Sequence, residues 1–182
     1  RIRSPQLYAA SLRAAFQAFV LQLETSPRLV ALPPSFTYEA DSSLGWMLDD
    51  LRKSVGEGDG VSVATPDGID WARLDSELAE ALDTGRPLCL LGTTVGLGRW
   101  LTRLETGQSL AAHLPAGSVF MDTGGEKGLP EGTSRSQVVR GLARHLGVPI
   151  ESVVNEFGMT ELCSQRYAYG DPAIPLLGPP WL

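Results

Sequence analysis

Apolar positions along this chain follow two patterns in turn: a helical spacing of about 3.6 residues, and short unbroken apolar runs. Residues 4–23, SPQLYAASLRAAFQAFVLQL, put Leu12, Phe16, Phe19, Val20 and Leu23 on one stripe, with Ser4 as N-cap and Pro5 in the first turn, and predict a helix. RLVALPP is a short apolar run stopped by two prolines, the pattern of a buried strand entering a loop. DSSLGWMLDDLRKSVG spaces Leu44, Met47, Leu48 and Leu51 for a helix, capped by Asp41, Ser42 or Ser43 and stopped at Gly56. GVSVATPDG reads as a second strand with its turn. DWARLDSELAEALDTG reads as an amphipathic helix with Trp71, Leu74, Leu78 and Leu82 on one side and Gly85 as its end. RPLCLLGTT is a continuous apolar run of the kind found in strands buried on both faces. A helix over 95–104 or beyond, a strand in GSVFMDTGG, a helix in TSRSQVVRGLARHLG capped at Thr133 or Ser134, and a last strand in ESVVNEFG complete the series. Strand and helix alternate with short connections, which predicts an α/β fold with a mainly parallel sheet flanked by helices.

Folds of this class bind ligands beyond the carboxyl ends of their strands. Three of the predicted strands end in unusual loops: LLGTT, MDTGGEKG and NEFGMTEL. In the second, Gly124 and Gly125 let backbone lie against a flat ligand, Asp122 and Thr123 supply polar groups, and Lys127 supplies a cation. The plainer alternative is a turn whose glycines serve geometry alone. LLGTTVGLGRW is not a phosphate loop: it lacks the Gly-Lys-Ser/Thr ending and the third glycine of the dinucleotide fingerprint, and Thr93 or Thr94 as a helix cap explains it. NEFGMTEL has a directional order. Phe157 offers a stacking face, Gly158 a tight turn, Thr160 a hydroxyl for a phosphate oxygen, and Glu161 a hard oxygen for Mg²⁺. Asn155 carries both donor and acceptor, enough to read an adenine edge. The alternative places Phe157 in the core, Thr160 as an N-cap and Glu161 in solvent.

Composition narrows the function classes. Of 182 residues, 43% are hydrophobic and 20% charged, an ordinary globular balance in a chain long enough to bury a core. A net charge of −6 without a basic stripe argues against a nucleic-acid surface, though backbone amides can still bind an anion. Cys89 and Cys163 read as free thiols in a reducing, cytoplasmic setting, and His113 and His145 lie too far apart in sequence for zinc spacing. No apolar run has the length of a membrane span, and Arg3, Arg13 and Gln17 interrupt the first helix as a signal peptide. The chain begins without methionine and ends in LLGPPWL, so residues 1–182 are expected to be one α/β domain cut from a longer protein.

NEFGMTE resembles the adenine-and-phosphate motif of the adenylate-forming superfamily (acyl-CoA ligases, adenylation domains and luciferases), with Phe157 where tyrosine is usual. Four stretches in order are similar to the acyl-protein synthetases, the fatty-acid-activating ligases associated with bacterial bioluminescence. They are SSLGWML (42–48), RPLCLLGT (86–93), MDTGGEKG (121–128) and NEFGMTELCSQRY (155–167). The resemblance implies an adenosine wall from Gly124 and Gly125 with Thr123 and Glu126 nearby. It implies Asn155 at the adenine edge, Phe157 stacked on the ring, and Gly158 and Met159 continuing the nucleotide segment. Thr160 would contact the α-phosphate and Glu161 would hold Mg²⁺, these two being the catalytic pair. The implied reaction takes ATP, Mg²⁺ and a long-chain fatty acid or other carboxylic acid to an acyl-adenylate, then passes the acyl group to a protein thiol. The implied protein partner is an acyl acceptor or a reductase. The superfamily's upstream phosphate loop and its lysine-bearing C-terminal subdomain, where the acyl-accepting cysteine would lie, are not in these residues. The 182 residues alone are therefore expected not to adenylate efficiently. Cys163 reads as a packing residue, and Leu91 and Trp46 sit among the apolar candidates for the acyl pocket. Two other readings stay open: an aryl- or acyl-CoA ligase resembling the phenylacetate-CoA ligase type, and a non-catalytic module that docks a reductase.

Overall fold

Each α-helix starts at a side chain suited to the task. In the computed structural model, which describes residues 4–21, 26–33, 42–55, 57–124, 128–131, 133–159 and 164–171, Ser4 accepts a hydrogen bond from the Leu7 amide and opens α1 (Pro5–Phe16). A π-helical turn (Gln17–Leu21) continues it, so the predicted first helix changes pitch before its expected end. Ser42 caps α2 (Ser43–Ser54), Asp70 caps α3 (Trp71–Thr84), and Thr93 caps α4 (Thr94–Glu105). Ser134 caps α5 (Arg135–Leu146) in a reciprocal box with Gln137. Gly85 and Gly147 end α3 and α5 at φ 70° and 63°, a left-handed conformation that glycine adopts without a Cβ penalty.

The strands are β1 (Arg28–Ala31), β2 (Val61–Ser62), β3 (Ala64–Thr65), β4 (Gly68–Ile69), β5 (Leu88–Thr93), β6 (Val119–Thr123), β7 (Val153–Met159) and β8 (Ser164–Tyr169). One sheet runs β2-β1-β5-β6-β7-β8, parallel except where β8 pairs antiparallel with β7. The mainly parallel sheet expected from the alternation is present. Two expectations are corrected. GVSVATPDG is not one strand: β2 joins the sheet, and β3 and β4 form a separate antiparallel pair around its turn. ESVVNEFG is not the last strand, since β8 follows it as an edge.

Alternation along each strand sends side chains to two cores. Leu88, Leu90, Phe120 and Val153 face α3, α4 and α5, packing with Leu74, Trp100 and Leu142. Cys89, Leu91, Met121 and Val154 face α1 and α2, packing with Leu12, Phe16 and Leu48. Both faces are covered, which is why these strands read as unbroken apolar runs. On α3 the buried stripe is Leu74, Glu77, Leu78 and Ala81, while Leu82 is 37% exposed, so the expected Leu82 contact is replaced by Ala81. Glu77 is tolerated there because Arg28 lies 3.2 Å away. Among the described residues no helix is long and apolar enough to cross a membrane.

Candidate functional site

Toward their carboxyl ends, β6 and β7 exchange apolar residues for polar ones. The parallel register sets Asp122 beside Asn155 and Thr123 beside Glu156, and Thr93 at the end of β5 lies beside Thr123. The same alternation that divides the core divides these groups. Asp122 and Asn155 follow Phe120 and Val153 on the α3–α5 face; Thr123 and Glu156 follow Met121 and Val154 on the α1–α2 face.

Asp122 is only 1% exposed and sits at the centre of a network. Arg135, the first residue of α5, donates to it in bidentate fashion, Nε to Oδ2 at 2.8 Å and Nη2 to Oδ1 at 2.7 Å. Thr94 Oγ1, at the start of α4, donates to Oδ2 at 3.1 Å. Asn155 Nδ2 donates to Oδ2 at 3.2 Å and to the Asp122 carbonyl at 3.3 Å. A carboxylate this deep is stable only when paired and hydrogen-bonded in this way. The network ties the start of two helices to the ends of two strands.

On the other face Thr123 Oγ1 donates to Glu156 Oε2 at 2.7 Å. Glu156 is 6% exposed and lacks a cation partner among the described residues. Burial pushes its carboxyl above the usual glutamate range, the Thr123 hydrogen bond pulls it back, and the negative charge of Asp122 adds to the rise. Tyr167 stands opposite Glu156 in the β7–β8 register, and its hydroxyl is buried with no hydrogen-bond partner among the described residues. Burial, reinforced by Glu156, drives the phenol well above its ordinary value.

The sequence-predicted residues divide three ways. Asn155 and Phe157 follow one another on one face of β7, and Phe157 is 65% exposed, which removes the alternative that placed it in the core. Thr123 and Gly124 end the neighbouring strand, but the Thr123 hydroxyl is occupied by Glu156 and does not face the Asn155 side. Gly124 has φ 94°, and beyond its own chain neighbours no atom of the described residues lies within 4 Å of where a Cβ would stand, so its conformation calls for glycine. Gly158 and Met159 pair with Gln165 and Ser164 at the end of β7. Gly125, Glu126, Thr160 and Glu161, with Lys127 and Cys163, lie outside the described residues. Sequence reasoning missed Arg135, Thr94 as a donor to Asp122, and the Glu156–Tyr167 pair. Alternation from Val154 could have placed Glu156 opposite Asn155; no local pattern links Arg135 to Asp122. A groove of about 450 Å³ between α4 and α5 is lined by Leu101, Gln137 and Arg140, and none of Asp122, Asn155 or Phe157 reaches it. Among the described residues no cluster of three His, Cys, Asp or Glu side chains could hold a metal ion.

No protein-family profile and no curated protein matches the chain. Solved structures do. A point mutant of coronafacic acid ligase from Pectobacterium brasiliense superposes with a TM-score of 0.60 at 14% identity over 94% of this chain. The fold is that of part of an adenylate-forming ligase. A malonyl-CoA ligase, in a ternary product complex with methylmalonyl-CoA and AMP, gives 0.55 at 20% identity over 97%. The McyG A-PCP structure complexed with phenylalanyl-adenylate gives 0.55 at 13% identity over 93%. The chain spans 29%, 34% and 28% of those three chains respectively. At these identities the likeness is one of fold, and the chemistry rests on the side chains at the strand ends. There, an exposed aromatic ring and a half-buried amide share one face of β7, beside the glycine that follows β6.

Proposed function

We propose that this chain is the central part of an ATP-dependent acid–thiol ligase, which activates a carboxylic acid as its acyl-adenylate and passes the acyl group to a thiol. The observation that carries this reading is the Phe157 ring standing 65% exposed at the end of β7, beside Asn155 and one strand from Gly124. A large aromatic in water beside a glycine offers a face on which a flat ring can stack. The adenylate-forming fold supplies the context, and the AMP and phenylalanyl-adenylate bound in structures of similar fold fit the same reading.

In the proposed reaction a carboxylate oxygen attacks the α-phosphorus of ATP, the bond to the bridging oxygen breaks, and pyrophosphate leaves. A thiolate then attacks the acyl carbon and AMP departs. Phe157 and Gly124 would hold the adenine as a layer, Asn155 would read its edge, and Gly125 and Glu126 would extend the wall. Thr160 and Glu161 are assigned to the α-phosphate and to Mg²⁺, which would neutralise charge building on the phosphates. We assign the finer activity to the acyl-protein synthetase type, with a long-chain fatty acid as substrate and a protein cysteine as acceptor, on the four motif resemblances. A CoA ligase is the second reading, drawn from the likeness to malonyl-CoA ligase. In either case residues 1–182 are the middle of the nucleotide-binding domain.

Equilibrium binding of ATP tests the site directly. Phe157→Ala should weaken ATP roughly tenfold or more, since base–aromatic stacking contributes about 1–3 kcal/mol, while leaving stability within about 0.5 kcal/mol because the ring is exposed. Equal affinity in the two proteins overturns the reading. In the longer ligase proposed here, acid-dependent ATP–pyrophosphate exchange, followed by capture of the labelled acyl group on protein or on CoA, then decides the acceptor.

A further inference from the structure

Asn155 has a directional choice that few side chains at the strand ends share. Half a turn about its last bond exchanges an acceptor for two donors. The surroundings settle which end points where. Nδ2 lies 3.2 Å from Asp122 Oδ2 and 3.3 Å from the Asp122 carbonyl oxygen, and neither oxygen has a proton to offer if the amide were reversed. Asp122 cannot swing aside, because Arg135 holds both of its oxygens and Thr94 donates to one of them. Oδ1 of Asn155 is left without a partner among the described residues, on the face of β7 that carries the exposed Phe157 ring.

We propose that Asp122 is a positioning residue for base recognition: by holding Nδ2, it presents Oδ1 of Asn155 outward as an acceptor and makes the site prefer a 6-amino purine to a 6-oxo purine. This rests on the nucleotide reading of Phe157 and Gly124 given above. The exocyclic amine of adenine donates to Oδ1, whereas the oxygen of hypoxanthine would meet it oxygen to oxygen. Arg135 and Thr94 act one step further back, so base choice is tied to how α4 and α5 begin.

The test is the ratio of dissociation constants for ITP and ATP, measured on the full chain. A merely structural role for Asp122 would weaken both nucleotides and leave the ratio alone. The unaltered chain should bind ATP about tenfold more tightly than ITP, the scale of one well-placed hydrogen bond set against an unpaired acceptor. Asp122→Ala combined with Arg135→Met removes the ion pair without stranding a buried charge, and the ratio should fall about threefold, since the Asp122 carbonyl still faces Nδ2. Asn155→Ala should lower the ratio at least as far, to within about twofold of unity, and adding the paired substitution to it should change nothing more. An unchanged ratio in the paired variant, or a further fall on the Asn155→Ala background, overturns the proposal. A ratio of one in the unaltered chain overturns it alone, and failure to bind either nucleotide takes the nucleotide reading down with it. If the paired variant does not fold, the side-chain amide hydrogens of Asn155 decide by NMR in the unaltered chain. They should be protected from solvent exchange before any nucleotide is added and stay so with ATP or ITP bound, because Asp122 holds them, and rapid exchange in the free chain would refute the proposal.

Discussion

Asp122 and Glu156 are carboxyl groups on neighbouring strands that fold into opposite circumstances. Asp122 meets a guanidinium; Glu156 meets a hydroxyl and an unpartnered phenol. Burial raises the Glu156 pKa, so the folded chain takes up this proton more readily than the unfolded chain does. The sign follows from linkage. A group whose folded pKa is raised contributes stability that is present below its unfolded value and is lost as pH climbs through the folded one. Glu156 should therefore cost stability between mildly acid and alkaline conditions, and Glu156→Gln, which keeps the shape and the Thr123 contact without the charge, should remove that cost. Urea midpoints of both proteins at pH 5 and pH 8 check it. The unaltered chain should lose more stability than the variant over this interval, and parallel behaviour would show that the fold does not raise the Glu156 pKa.

At the scale of elements, most of what the sequence announced was local chemistry. Ser4, Ser42, Thr93 and Ser134 were legible as caps because an N-cap is written within one turn. β5 and β6 were legible because strands covered on both faces leave unbroken apolar runs. The π-helical turn after Phe16 was not, since nothing in QAFVL departs from ordinary helical spacing. β8 was not, because SQRYAY alternates only weakly and gains its place by pairing with β7. The Asp122–Arg135 pair bridges a loop and left no periodic trace. The contact between α4 and α5 was equally silent: at Gly141 a Cβ would stand 2.6 Å from both terminal methyls of buried Leu101. Replacing Gly141 by alanine gains about 1 kcal/mol of helix propensity, but forcing a methyl into a filled contact costs about 1–3 kcal/mol. The net expectation is destabilisation by about 1 kcal/mol, read from chemical denaturation. A more stable Gly141→Ala chain would mean that α4 and α5 can separate freely, which would also loosen the two helix starts that hold Asp122.

For the molecule as a whole, the sheet is a wall between two cores, and a thiol lies inside one of them. Cys89, the second residue of β5, is fully buried among Leu12, Phe16, Leu29 and Met121, and burial drives its pKa far above that of a free thiol. Neither exposure nor thiolate is available in the native state. Cys89 should therefore react with a disulfide reagent only when the layers part, at a rate set by the unfolding equilibrium if refolding outpaces labelling. In a Cys163→Ser chain at pH 8, the labelling rate should rise with urea along the same slope as equilibrium unfolding. A fast reaction indifferent to urea would place the thiol under a local opening instead. The same probe reaches the function. A ligand that binds only the folded chain lowers the unfolded population by a factor of one plus its concentration over its dissociation constant. At a hundredfold excess of ATP over that constant, labelling should slow about a hundredfold, and in Phe157→Ala, with its roughly tenfold weaker binding, it should slow only about tenfold at the same ATP concentration. Protection by ATP that survives Phe157→Ala unchanged would mean the nucleotide sits elsewhere on this fold.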